Sequence, residues 1–205
     1  MKQKLLGNLK EGLLFVVSAP SGAGKTTLVH MICEEFDAVV RCTTCTTRPP
    51  RSGEVEGKDY HFITVEEFQQ KERAKEFLES AQVFNDRYGT LKEEVYREQK
   101  RGKHVILVID TQGAFQLRGK IPAVFIFVAP PSLGELKRRL IVRKTENEKS
   151  IEERLSWAER EIEEGKKFDY FIFNEDLNLA YQVLRSIFIA EERHIRRSLC
   201  PSIKN

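Results

Sequence analysis

Residues 13–27 read LLFVVSAPSGAGKTT, an apolar run that breaks into a loop of small residues and resumes with helical spacing. The run has the character of a strand buried on both faces, and the loop after it lets successive backbone N–H groups point inward. The following helix adds its partial positive N-terminus, which makes the segment a cradle for phosphate. In such a loop Lys25 reaches the outer phosphates of a nucleoside triphosphate, and the Thr26 hydroxyl takes one position on Mg²⁺. Ala19 stands where the usual pattern has its first glycine, a change that suits a position without positive φ. A solvent loop with chance glycines would account for neither the strand before it nor the helix after it.

Apolar and helical segments then alternate along the chain. Val105–Ile109, Val124–Val128 and Tyr170–Phe173 read, like Leu13–Val17, as short strands buried on both faces. Leu28–Phe36, Leu91–Lys100, Leu133–Arg143 and Asp176–Arg197 carry helical spacing. This order predicts an α/β fold, with a mainly parallel sheet covered by helices on both faces, in one domain of 205 residues. Ligands of such sheets collect at the carboxyl ends of the strands, where Ala19–Thr26 and Asp110 both fall. Two stretches interrupt the alternation. Residues 43–93 turn polar, with Gly53, Gly57 and Gly89 punctuating short β-like pieces such as Tyr60–Thr64, and read as an inserted subdomain. Residues 132–164 are densely charged, lack an apolar anchor over Lys144–Ser150, and read as a mobile lid. The core is then 1–42, 94–131 and 165–205.

Charge and cysteine usage narrow the partners. Lys and Arg total 34 against 31 Asp and Glu, a net charge of +3, which is no polyelectrolyte signature for nucleic acid. No apolar stretch approaches the roughly 18 residues of a membrane span. Met1-Lys2-Gln3-Lys4 leads into only a few apolar residues before Gly7 and Asn8, so neither export nor a membrane anchor is expected. Cys33, Cys42, Cys45 and Cys200 are too scattered for a disulfide scaffold and suit a reducing cytoplasm. Cys42-Thr-Thr-Cys45 has the spacing of half a zinc knuckle without its second half, and reads as a partly buried pair of free thiols.

The insertion carries Arg48-Pro-Pro-Arg51, then Glu54, Tyr60, Phe77-Leu-Glu79 and Tyr88-Gly-Thr90. Two prolines stiffen the backbone between Arg48 and Arg51, so two guanidinium groups can converge on one doubly charged phosphate, with the Tyr60 and Tyr88 hydroxyls as further donors. A solvated Arg-Pro turn beside two packed tyrosines is the plainer alternative. Taken with the phosphate loop, these motifs closely resemble the guanylate kinases, which phosphorylate GMP with ATP, from about Leu13 to about Glu192.

The resemblance implies a GMP-binding insertion, a lid, and a core sheet shared by both nucleotides. It assigns Arg48, Arg51, Tyr60 and Tyr88 to the GMP phosphate, Glu79, Thr44 and Thr90 to the base, Glu54 to the same acceptor site, and Asp110 either to that site or to Mg²⁺-bound water. An ionised carboxylate accepts both N1–H and the N2 amine of guanine, whereas adenine presents an acceptor at N1. Rejection of AMP by about 10⁴ or more is therefore expected. The same contacts would take dGMP. Ala19, Pro20, Ser21, Gly22, Ala23, Gly24, Lys25, Thr26 and Thr27 fall to the ATP phosphates, and Asn174 to the neighbourhood of the ATP base. Arg139 and Arg143, four apart on one helix, and Arg154, which begins another helical run, are assigned to the transferring phosphoryl group, although charge runs are usually solvated faces. Catalysis would rest on Lys25, Arg48, Asp110 and these arginines. Two positions depart from the pattern: Val108 stands where a second acid is common, and Lys144 where glycine is common.

No side-chain nucleophile is needed, because an anionic oxygen of GMP attacks the γ-phosphorus in line while Mg²⁺, Lys25 and the arginines neutralise the spreading charge. Two rival readings share the fold. One is an inactive guanylate-kinase-like binding module, which the intact Lys25 and Thr26 oppose; the other is a P-loop kinase with another small phosphate acceptor, which the joint presence of Arg48, Arg51, Tyr60, Glu79 and Tyr88 opposes. The residues favour neither a monomer nor a homodimer.

Overall fold

β1 (Leu14–Ser18) is buried along its whole length because strands flank both its edges and helices cover both its faces. The computed structural model describes residues 4–83, 85–142 and 148–194. Parallel to β1 run β2 (Val39–Arg41), β7 (His104–Val108), β8 (Val124–Ala129) and β9 (Tyr170–Phe173), in the order β2-β7-β1-β8-β9. Side chains alternate across β1 as a strand requires. Phe15 and Val17 enter a cluster built with α1 (Lys25–Glu35) and α7 (Leu177–Arg193), where Phe15 stacks on Phe188 with centroids 3.7 Å apart. Leu14 and Val16 enter the opposite cluster, built with α3 (Lys92–Lys100) and α4 (Thr111–Leu117).

A second sheet grows out of the first. β3 (Thr44–Thr46), β4 (Tyr60–Phe62), β5 (Phe77–Val83) and β6 (Asp86–Leu91) pair in the order β4-β3-β6-β5. With α2 (Val65–Arg73) they enclose their own cluster of Cys45, Phe68 and Phe77. α2 starts on a capping box, in which Thr64 accepts the Glu67 N–H and Glu67 accepts the Thr64 N–H. α5 (Leu133–Val142) and α6 (Glu148–Gly165) pack on each other through a third cluster, Leu136, Leu140, Ile151 and Ala158. Among the described residues no helix is long and apolar enough to cross a membrane.

Several expectations shift. α1 begins at Lys25 rather than Leu28, because Gly24 at φ 92° turns the chain straight into the helix. β4 ends at Phe62 because Thr64 is taken as the cap of α2. β9 is not buried on both faces: it is an edge strand, so only Ile172 is enclosed and Phe173 is 65% exposed. Arg154 lies inside α6 rather than at its start. α7 ends at Arg193, where His194 turns extended. Cys42 and Cys45 are buried outright, and burial pushes both thiols up to about 12, which leaves them unreactive. Arg143, Lys144, Arg197 and Cys200 lie outside the described residues.

One polar contact ties the fold's periphery together. The Leu13 N–H donates to Nδ1 of the buried His104 at 3.0 Å, which puts the ring proton on Nε2, and Nε2 donates to Glu192 at 2.6 Å. Burial lowers the His104 pKa against the pull of Glu192. The same carboxylate accepts the Gly7 N–H and the Asn8 side-chain amide, each at 2.6 Å. His104→Phe keeps the ring volume but strands an amide and removes one donor to a buried carboxylate. We expect a loss of about 2–4 kcal/mol, read as a lower urea midpoint at unchanged m.

Candidate active site

The loop between β1 and α1 forms the floor of a cleft of about 540 Å³ that runs between the two sheets and α6. Gly22 and Gly24 both adopt φ 92°, which only glycine takes without strain, whereas Ala19 is not in that region. Alanine therefore replaces glycine there at no conformational cost. The N-cap of α1 is Gly24, with no side-chain cap and no acid in the first turn, so the helix leaves its first N–H groups to an anion. Lys25 Nζ lies 3.4 Å from the Ala19 carbonyl on the cleft floor. Burial lowers its pKa against the attraction of Glu161 and Asp110. Ser21, Thr26 and Thr27 complete the floor. The Thr26 hydroxyl and the Asp110 carboxylate both line the cleft, and hard oxygen donors of this kind suit Mg²⁺.

Asn174 works from behind the loop. Its buried amide donates to the Ala23 carbonyl at 2.8 Å, and a Cβ on Gly24 would stand 2.2 Å from the same nitrogen. Neither Asn174 nor the buried Ala23 is on the cleft wall. Their position makes them supports of the cradle.

Across the cleft, Arg48, Arg51, Tyr60 and Tyr88 converge. The Arg48 guanidinium donates to both oxygens of Glu54, at 2.8 and 2.9 Å, and lies 5.4 Å from the centre of the Tyr60 ring. Burial opposes the Arg48 charge, and the bonds from Glu54 and Tyr88 outweigh it. Glu54 also accepts the Arg51 N–H at 2.7 Å and does not line the cleft, so it aims the two arginines. The Tyr60 and Tyr88 rings meet edge to face at 5.9 Å, and burial keeps the Tyr60 phenol protonated as a donor. Cations and O–H donors aimed at one point suit a phosphate dianion.

Glu79 owes its place to an irregular strand. β5 pairs Phe77 with Leu91 but Glu79 with Thr90, so Leu78 is an extra residue bulging between them. In an unbroken strand Phe77 and Glu79 would share a face; the bulge sends Phe77 into the second sheet's cluster and Glu79 into the cleft. Glu79 is only 4% exposed, and Oε1 accepts the Thr90 hydroxyl at 2.6 Å. Thr90 is behind it, while Thr44 is on the wall. Burial raises the Glu79 pKa to about 7, the Thr90 bond opposes the rise, and Asp110 adds to it. Asp110 caps α4 by accepting the Gly113 N–H at 2.9 Å, and burial raises its pKa as well.

The third wall is α6. Arg154 reaches Ser21 Oγ at 2.6 Å. Glu153, Trp157 and Glu161, spaced by four, complete the inward stripe and were hidden from sequence reading by the charge density around them. Burial raises the Glu161 pKa to about 7, moderated by Lys25 and reinforced by Asp110. Val108 also lines the cleft, so the further carboxylate beside Lys25 comes from α6 rather than from β7. Arg139 is not on the wall: it donates to Glu135 at 2.8 Å and to the Asn174 carbonyl at 3.2 Å. Ala81, Val83, Asn85, Asp86 and Ile109 line the cleft too. Strand alternation in β5 could have found Ala81 and Val83, and adjacency to Asp110 could have found Ile109; Asn85 and Asp86, at the turn into β6, carry no such signal.

The guanylate kinase family model matches residues 11–191. A guanylate kinase of Protochlamydia amoebophila is 54% identical over 193 residues, 94% of this chain and 98% of that protein. One from Clostridioides difficile is 45% identical over 190 residues, covering 92% and 93% of the two chains. The crystal structure of guanylate kinase from Anaplasma phagocytophilum superposes with a TM-score of 0.78 at 33% identity, over 92% of this chain and 90% of that one. With a phosphate loop, a facing Arg-Tyr cluster and this breadth of likeness, the chain belongs to the guanylate kinase family.

Proposed function

We propose that this protein transfers the γ-phosphoryl group of ATP to GMP, giving ADP and GDP. The observation that carries the reading is one cleft with a phosphate loop on its floor and, opposite, a buried carboxylate bonded to Thr90 beside the Arg48, Arg51, Tyr60 and Tyr88 cluster. The loop N–H groups and Lys25 hold the ATP phosphates. Arg48, Arg51 and the two phenols orient the GMP phosphate so that its oxygen approaches in line. Glu79 receives guanine N1–H and N2–H, with Thr44 beside it. Arg154 follows the transferring group from the lid, residues 132–164, while residues 43–93 form the acceptor part. Mg²⁺, held by Thr26 and phosphate oxygens with Asp110 at hand, would supply charge neutralisation on the outer phosphates. Closing the cleft excludes water that would hydrolyse ATP.

ADP formation from MgATP, with GMP, AMP, CMP and UMP offered separately, tests the proposal. Turnover is expected with GMP alone. Tight GMP binding without turnover on any acceptor would overturn it in favour of a binding module.

The raised Glu79 pKa adds a pH signature. Only the ionised carboxylate accepts two N–H groups, so acid disfavours guanine recognition as pH falls through about 7. IMP carries the same phosphate and lacks the N2 amine, so phosphate titration cancels in the ratio of the two affinities. The GMP-over-IMP ratio is expected to fall as pH drops from 8 to 6; a flat ratio in paired titrations would mean that Glu79 does not change its charge in that range, and the Glu79→Gln variant then decides its role in base recognition.

A further inference from the structure

Gly113 is buried at the third position of α4, directly under Glu79. A methyl group there would stand 2.4 Å from Glu79 Oε2, 3.2 Å from its carboxyl carbon and 3.3 Å from Ile109 Cδ1. Its φ is not positive, so backbone freedom is not what glycine provides. Within a helix glycine is less favourable than alanine by about 0.5–1 kcal/mol, which leaves space as its contribution. α4 cannot withdraw to admit a side chain. Gln116 binds the Ser80 backbone twice, accepting its N–H at 3.2 Å and donating to its carbonyl at 2.6 Å. The carboxylate is thus fixed by Thr90 at Oε1 and by bare helix backbone at Oε2.

We infer that Gly113 is a specificity-positioning residue, which sets the depth and angle at which the Glu79 carboxylate meets the edge of the acceptor base. This rests on the reading of Glu79 as the guanine-recognising group. Acceptance of two adjacent N–H groups requires both oxygens at hydrogen-bond distance together, and a displacement of about 1 Å breaks one of them. The N2 amine, which separates guanine from hypoxanthine, is the contact at stake.

The test is kcat/KM for GMP and IMP in the full-length Gly113→Ala protein, alone and combined with Glu79→Gln. The GMP/IMP ratio is expected to fall by about 10- to 100-fold, the value of one charged hydrogen bond, mainly through KM for GMP. In the Glu79→Gln background the alanine should leave the ratio unchanged. A wild-type ratio in Gly113→Ala, with the ratio lost in Glu79→Gln, overturns the role of Gly113 and leaves that of Glu79 standing. A wild-type ratio in Glu79→Gln removes the underlying reading instead. Should the alanine variant be too unstable to assay, unfolding midpoints decide. The destabilisation should vanish when Glu79→Ala makes room for the methyl, and an equal loss in both backgrounds overturns the inference.

Discussion

Lys25→Met is expected to lower kcat by about 10²–10³-fold, the scale of losing one preorganised donor to developing charge. Methionine matches the four-atom stem of lysine and lacks the ammonium, so the change removes the charge while keeping most of the packing. The effect is large because the ammonium lies on the cleft floor beside the phosphate loop, where Glu161 and Asp110 attract it against the cost of burial. GMP affinity should move by less than about twofold, since the groups that hold the acceptor phosphate and base come from β3, β4, β5, β6 and the loop between β3 and β4, across the cleft. Steady-state ADP formation gives kcat. Trp157, the sole tryptophan and part of the cleft wall, gives GMP binding by fluorescence. Wild-type turnover in this variant would take Lys25 out of phosphoryl transfer.

The second large effect belongs to base choice. Glu79→Gln keeps the volume and replaces one acceptor oxygen with a donor, which opposes a guanine N–H and can serve N1 of adenine. A buried site rejects a base that leaves its polar groups unpaired, so selectivity of about 10⁴ rests on that pairing. The GMP-over-AMP preference in kcat/KM is expected to shrink by about 10²-fold or more. Competition assays with both acceptors present measure it directly, and an unchanged preference would move recognition to another residue.

Legibility followed the range of the interactions. The cradle of residues 19–26 was readable because its chemistry lies in contiguous backbone, as was the Arg48–Arg51 pair held by two prolines. The bulge at Leu78 was not, since strict alternation puts Phe77 and Glu79 on one face and only the partner strand reveals the extra residue. The edge position of β9 likewise depends on which strands pair, so four apolar letters overstated its burial. Charge density in α6 hid its inward stripe, so Glu153 and Glu161 looked like surface although they line the cleft, while Arg139 of α5 bonds Glu135 and the Asn174 carbonyl.

The molecule keeps separate apolar clusters under the main sheet, the second sheet and the α5–α6 pair. Among the described residues the last holds four buried side chains, against nineteen in the cluster that joins β1 to α1 and α7. Local opening free energy follows the apolar surface that must be exposed, so opening the α5–α6 pair is expected to cost less than opening the main sheet, although Ile162 and Gly165 also seat α6 on the cluster around Phe127. Opening of the α5–α6 pair and melting of the main sheet are then expected to respond to different substitutions. Substitutions at Leu140 or Ile151 should act first on the opening of that pair, and those at Phe15 or Phe188 on the melting temperature of the whole.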